Sequence, residues 1–137
     1  MKFYRLLSIS AAILLSLSAA RAQNPQAQTP EQQEKQLLEY VDKEVRRLGE
    51  LLDLEYWQEF YVDSILVHDY QALSEELKEL QTAKVGNADL YQAVQDKWAE
   101  QIENSFKRYF TEEQWKKYSK STAGEKKKRD KRKEKRK

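Results

Sequence analysis

The chain has 137 residues, with 25 Lys and Arg, 23 Asp and Glu, one His, three Gly, two Pro and no Cys. Without cysteine there is no disulfide framework, thiolate nucleophile or Cys-ligated metal; one His cannot build the usual two- or three-His site, and no G-x-G-x-x-G or G-x-x-x-x-G-K string is present. What remains is a length for one small domain and a composition rich in Glu, Lys, Leu, Gln and Ala, the residues of long helices.

Residues 1–22 have the layout of a secretory signal peptide. Lys2 and Arg5 make a basic start, an apolar run follows from Leu6 to Ala20, and Ala20-Arg21-Ala22 offers small residues at the two positions a signal peptidase reads. The apolar run is about 15 residues, short of the ~20 that span a bilayer. Cleavage after Ala22 and export out of the cytoplasm are therefore expected. Residues 23–29 (QNPQAQT) form a polar linker without core residues.

The helical domain is expected over residues 30–121. Thr29 suits an N-cap, Pro30 the first helical position and Gln32 the third position of a capping box. Leu37, Leu38, Val41, Val45, Leu48 and Leu52 then recur at helical spacing, and Gly49 falls near the end of this first helix. A second helix is predicted from Asp53 to Thr82, with the stripe Trp57, Tyr61, Val62, Ile65, Leu66, Tyr70, Leu73, Leu77 and Leu80. Gly86-Asn87 is the turn signal that follows.

A third helix is predicted from Ala88 to Phe110, capped by Asn87 or Asp89, with Leu90, Val94, Trp98, Ile102, Phe106 and Tyr109 on one face. A short fourth runs from Glu112 to Lys120. Thr111-Glu112-Glu113-Gln114 is a capping box, and Phe110 and Trp115 flank it as a hydrophobic staple. Thr111→Ala should cost about 1 kcal/mol, measured by denaturant unfolding. No run of period two bounded by turn residues exists, so the class is all-α: a small bundle or cradle of about four helices, two of them long.

Charge is segregated. Residues 23–124 hold 12 basic and 20 acidic side chains, whereas residues 125–137 hold ten basic and three acidic ones. By composition, residues 122–137 read as a disordered basic tail, too charged and too poor in apolar groups to fold alone. Three roles suit it: contact with an anionic surface such as a membrane through Lys126, Lys127, Lys128, Arg129, Lys131, Arg132 and Lys133; a passive solubilising end; or folding back over the acidic body. The tail has no aromatic to stack a base, which argues against specific nucleic-acid recognition.

Two strings carry a resemblance. Leu52-Asp53-Leu54-Glu55-Tyr56-Trp57-Gln58 resembles L-x-L-T-x-x-Q, and Tyr109-Phe110-Thr111-Glu112-Glu113-Gln114 resembles its second copy. They mark the Spy/CpxP family of small periplasmic proteins, with Leu54, Gln58, Thr111 and Gln114 at the motif and capping positions. Glu55 stands where the family has Thr, and Phe110 where it has Leu; in the first copy the capping box is expected to move back to Asp53, with Leu52 and Trp57 as its staple. The resemblance covers residues 48–120. It implies a cradle-shaped homodimer that receives unfolded envelope proteins without ATP, or an adaptor in envelope stress. Its client face would be basic, whereas this helical body is acidic.

No catalytic, cofactor or metal site is expected. His68 lacks a Glu three residues before it, where Ile65 stands, and the carboxylates fit solvated helix faces. Ser64 and Ser74 have no elbow motif around them. The aromatics are the candidate interaction residues: Tyr56, Trp57, Phe60 and Tyr61 cluster too tightly to share one core, and Trp98, Phe106, Phe110 and Trp115 crowd the second motif. They serve either as core and dimer interface or as a surface for client segments. A chaperone or stress adaptor is thus the first functional expectation. A structural or scaffolding subunit with one fixed envelope partner is the second.

Overall fold

The computed structural model describes residues 29–137; the signal-peptide reading of residues 1–22 and the linker up to residue 28 lie outside them. Four helices follow one another: α1 (Pro30–Leu52), α2 (Tyr56–Thr82), α3 (Ala88–Phe106) and α4 (Glu112–Lys135), with no strand among the described residues.

The first helix starts as its sequence dictates. The Thr29 hydroxyl accepts from the Gln32 N–H at 3.3 Å, and the Gln32 carboxamide oxygen accepts from the Thr29 N–H at 3.0 Å. It ends differently. Asp53, expected to open the second helix, instead closes the first in the left-handed region (φ 52°, ψ 56°). Asp is among the few non-glycine residues that tolerate this conformation. The Leu54 N–H returns to the Gly49 carbonyl at 3.1 Å, and α2 begins only at Tyr56.

The buried residues of α2 are Gln58, Val62, Leu66, Asp69, Leu73 and Leu77. This line is rotated away from the predicted one: Trp57 and Tyr61 fall outside it, and two polar residues fall on it. At the next turn the left-handed residue is Lys84 (φ 54°), not Gly86, and Asn87 caps α3 by accepting from the Asp89 N–H at 2.9 Å. The third helix stops at Phe106, and residues 107–110 turn the chain into α4.

Packing is up-down-up-down. Helix α2 lies against α1 and α3, and α4 lies against α1. Side-chain pairs give the directions: Tyr61 with Tyr109 just past the end of α3, then Asp69 with Gln101 and Glu76 with Lys97 on it, show α2 and α3 antiparallel. Arg129 with Glu103, Lys133 with Glu100 and Arg136 with Asp96 do the same along α4 and α3. One core sits at the end where both motif strings turn the chain, built from Val41, Leu48, Leu52, Val62, Leu66, Ile102, Phe106, Phe110 and Tyr118.

The basic segment departs most from its reading. Helix α4 does not stop near Lys120 before a disordered tail; it runs on to Lys135. Lysines spaced by four, such as Lys127, Lys131 and Lys135, repel one another and weaken an isolated helix. Two features oppose that. Arg132, Lys133 and Lys135 fall in the last turn, where the helix dipole favours positive charge. The acids of α3 neutralise the side chains that face it.

Candidate interaction surfaces

The two motif strings meet. Gln58 Nε2 donates to the Tyr109 carbonyl and to Gln114 Oε1, both at 2.8 Å. Gln58 Oε1 accepts from the Glu55 N–H at 3.0 Å and from Gln114 Nε2 at 3.0 Å. Each carboxamide also caps its own helix: Gln114 Oε1 accepts from the Thr111 N–H at 2.9 Å, while the Thr111 hydroxyl accepts from the Gln114 N–H at 3.2 Å. Gln58 is 2% exposed, and its four hydrogen bonds fill its capacity. The pair thus joins the α1–α2 turn to the α3–α4 turn. The first box sits on Glu55 and Gln58, in register with the second, and not on Asp53 as expected. Leu54 is half-buried against the core.

Fixing Gln58 inward decides what its neighbours do. At 100° per residue, Tyr56 and Phe60 must point away from the bundle, and Trp57 and Tyr61 lie along its flank. Their exposures are 88% for Tyr56, 63% for Phe60, 48% for Trp57 and 40% for Tyr61. The patch is ordered by ring contacts. Tyr61 packs edge-on against Trp57 and Phe60, with centroids 6.3 and 5.7 Å away, and stacks on Tyr109 at 4.4 Å. Trp57 Nε1 donates to the Glu55 carboxylate at 2.7 Å, so the N-cap residue of α2 anchors one ring of the patch.

The second aromatic group divides. Phe106 and Phe110 are core residues, 1% and 8% exposed, and leave the set of candidate binding residues. They line the inner face of the α3–α4 corner, where Tyr118 meets both rings, at 5.7 and 5.8 Å. Burial holds the Tyr118 phenol far above its ordinary pKa. Trp115 packs on Tyr118 at 5.4 Å with Lys107 over its ring, and the expected staple thus closes through Tyr118. Trp98 is half-buried and donates to Glu76, which Lys97 also contacts. Hydrogen bonds from Lys97 and Trp98 hold the Glu76 carboxyl below its ordinary range.

The seven basic candidates also divide. Arg129 pairs with Glu103, Arg132 takes Asp96 with two nitrogens at 3.1 and 2.7 Å, and Lys133 meets Glu100. Lys126, Lys127, Lys128 and Lys131 stay exposed. Sequence reasoning missed the acidic partners, though Asp96, Glu100 and Glu103 recur at steps of four and three on one helix face. Asp69 was missed too. It is 4% exposed, its Oδ1 lies 2.8 Å from His68 Nδ1, and its buried Oδ2 has no partner among the described residues.

Among the described residues no group of three His, Asp or Glu could hold a metal ion, and no helix is long and apolar enough to cross a membrane. No family model matches the chain, and neither does any curated protein or solved structure.

Proposed function

We propose that this chain is an ATP-independent helical chaperone or envelope-stress adaptor that takes hold of apolar segments of other proteins on the aromatic patch of α2. One observation carries the reading: Tyr56, Trp57, Phe60 and Tyr61 stand exposed together on one and a half turns of one helix. Exposed aromatics grouped in this way are the usual anchors of protein interfaces, because they bury much area at little cost in side-chain entropy. The patch sits on a helix start pinned by the Gln58–Gln114 pair, so it needs no reorganisation before binding. Acidic residues around it, Glu55 and Glu59 among them, would speed capture of basic segments.

The resemblance to the Spy/CpxP family supports the same reading through Leu54, Gln58, Thr111 and Gln114. It brings with it a homodimer and, after export, a periplasmic setting. The test is light scattering of an unrelated aggregating protein without ATP. The full chain should suppress aggregation at near-stoichiometric amounts, and Tyr56→Ser with Phe60→Ser should weaken that by roughly tenfold. Lack of suppression by the unaltered chain would reject the reading in favour of a structural subunit with one fixed partner.

A further inference from the structure

Folding sorts the basic side chains of α4 by type. Its arginines, Arg129, Arg132 and Arg136, all turn toward α3, where each meets a carboxylate. Arg129 is 6% exposed. The planar guanidinium suits such fixed, two-pronged pairing, whereas the lysine ammonium is a hydrated point charge. Lys116, Lys120, Lys127, Lys131 and Lys135 are exposed and form no ion pair with any described residue. At 100° per residue Lys120, Lys127 and Lys131 lie opposite Arg129, and Lys116 and Lys135 flank them. From Lys116 to Lys135 the row is about 28 Å long.

We propose that this lysine row is a docking face for an anionic lipid surface. The charge of the whole molecule complements it. Residues 30–111 carry eighteen acids against nine bases, so an anionic surface repels the rest of the body and admits only the outer side of α4. The face has Ala123 and Gly124 at its middle and no large apolar side chain along the row, so it adsorbs and does not insert. It lacks a free guanidinium fork for individual phosphates and an aromatic to stack a base, which favours a flat, diffuse charge over a nucleic acid. The inward arginines act differently: they hold the helix to α3 and keep the row straight. This surface is separate from the aromatic patch and does not depend on it.

The experiment is co-sedimentation of the full chain with vesicles of phosphatidylcholine alone and of phosphatidylcholine with phosphatidylglycerol, at low and raised salt. The difference between the two lipids isolates the electrostatic part from any apolar adsorption. Replacing Lys120, Lys127, Lys131 and Lys135 with Gln should remove most of that difference, on the order of a few hundredfold in affinity. Gln is as good a helix former as Lys, and circular dichroism checks that the fold persists. Lys43→Gln with Lys78→Gln, exposed positions on α1 and α2, should keep binding within about fivefold, because those side chains lie outside the row. Unchanged binding after the lysine replacements would overturn the proposal, as would an equal loss in the Lys43 and Lys78 variant. So would retention of the chain on double-stranded DNA at a salt concentration that strips it from the vesicles.

Discussion

Phe106→Ala is expected to lower the stability of the fold by about 4 kcal/mol. The side chain is 1% exposed and is the largest of the fully buried ones. Its ring lies 5.2 Å from Phe110 and 5.7 Å from Tyr118, joining the last turn of α3 to the α3–α4 corner and the second turn of α4. Truncation removes a whole aromatic volume between elements whose positions are also fixed by the Gln58–Gln114 pair, so collapse into the void is restricted, and the cost belongs at the upper part of the range for such changes. Phe60→Ala is the control. At 63% exposure it should change stability by no more than about 0.5 kcal/mol. Urea unfolding followed by far-ultraviolet circular dichroism measures both. A cost below about 1 kcal/mol for Phe106→Ala would remove that residue from the core. The contrast matters for function: binding lost in the Phe106 variant would report unfolding, whereas binding lost in the Phe60 variant would report the surface.

That division between two phenylalanines marks how far the sequence could be read. Thr29 with Gln32, and Thr111 with Gln114, act through covalent neighbours three residues apart, and their caps stand where the residue types place them. The helical class follows from periodicity in the same local way. Asp53 was harder, because only the return of α2 along α1 requires a left-handed residue there. Gln58 and Asp69 sit at core spacing on α2, but a stripe drawn from apolar residues passes over them and rotates toward Trp57 and Tyr61. Which of two adjacent rows turns inward depends on what the opposite helix offers. Here it offers the carboxamide of Gln114, 56 residues away. The basic segment shows the same limit. Judged by its own composition it cannot fold, and its helix depends on Asp96 and Glu103 of α3.

Asp96→Ala should therefore loosen the C-terminal half of α4 by about 2 kcal/mol while leaving the core in place. Asp96 is 3% exposed and accepts from Arg132, Arg136 and Gln92. Its removal leaves two partly buried guanidiniums without their acid. The Lys133–Glu100 pair is half open to solvent and contributes little; Asp96 and the Arg129–Glu103 pair carry the contact. Hydrogen exchange should show faster amides over residues 122–135, with Val62 and Leu66 unchanged. Equal protection in the variant would mean that this helix holds without α3. Acid should act in the same direction. Burial pushes the Asp96 carboxyl up, but the hydrogen bonds from Arg132 and Arg136 outweigh it and leave the pKa below its ordinary 3.8. The Lys133 hydrogen bond likewise holds Glu100 below 4.5. Groups whose pKa is lowered by folding stabilise the folded state fully above their ordinary values, and that contribution is lost as pH falls through the lowered ones. The end of α4 should thus be held fully above pH 4.5 and released progressively below 3.8. In Asp96→Asn the acid-dependent part of that release should largely disappear, because the group that takes up the proton is gone.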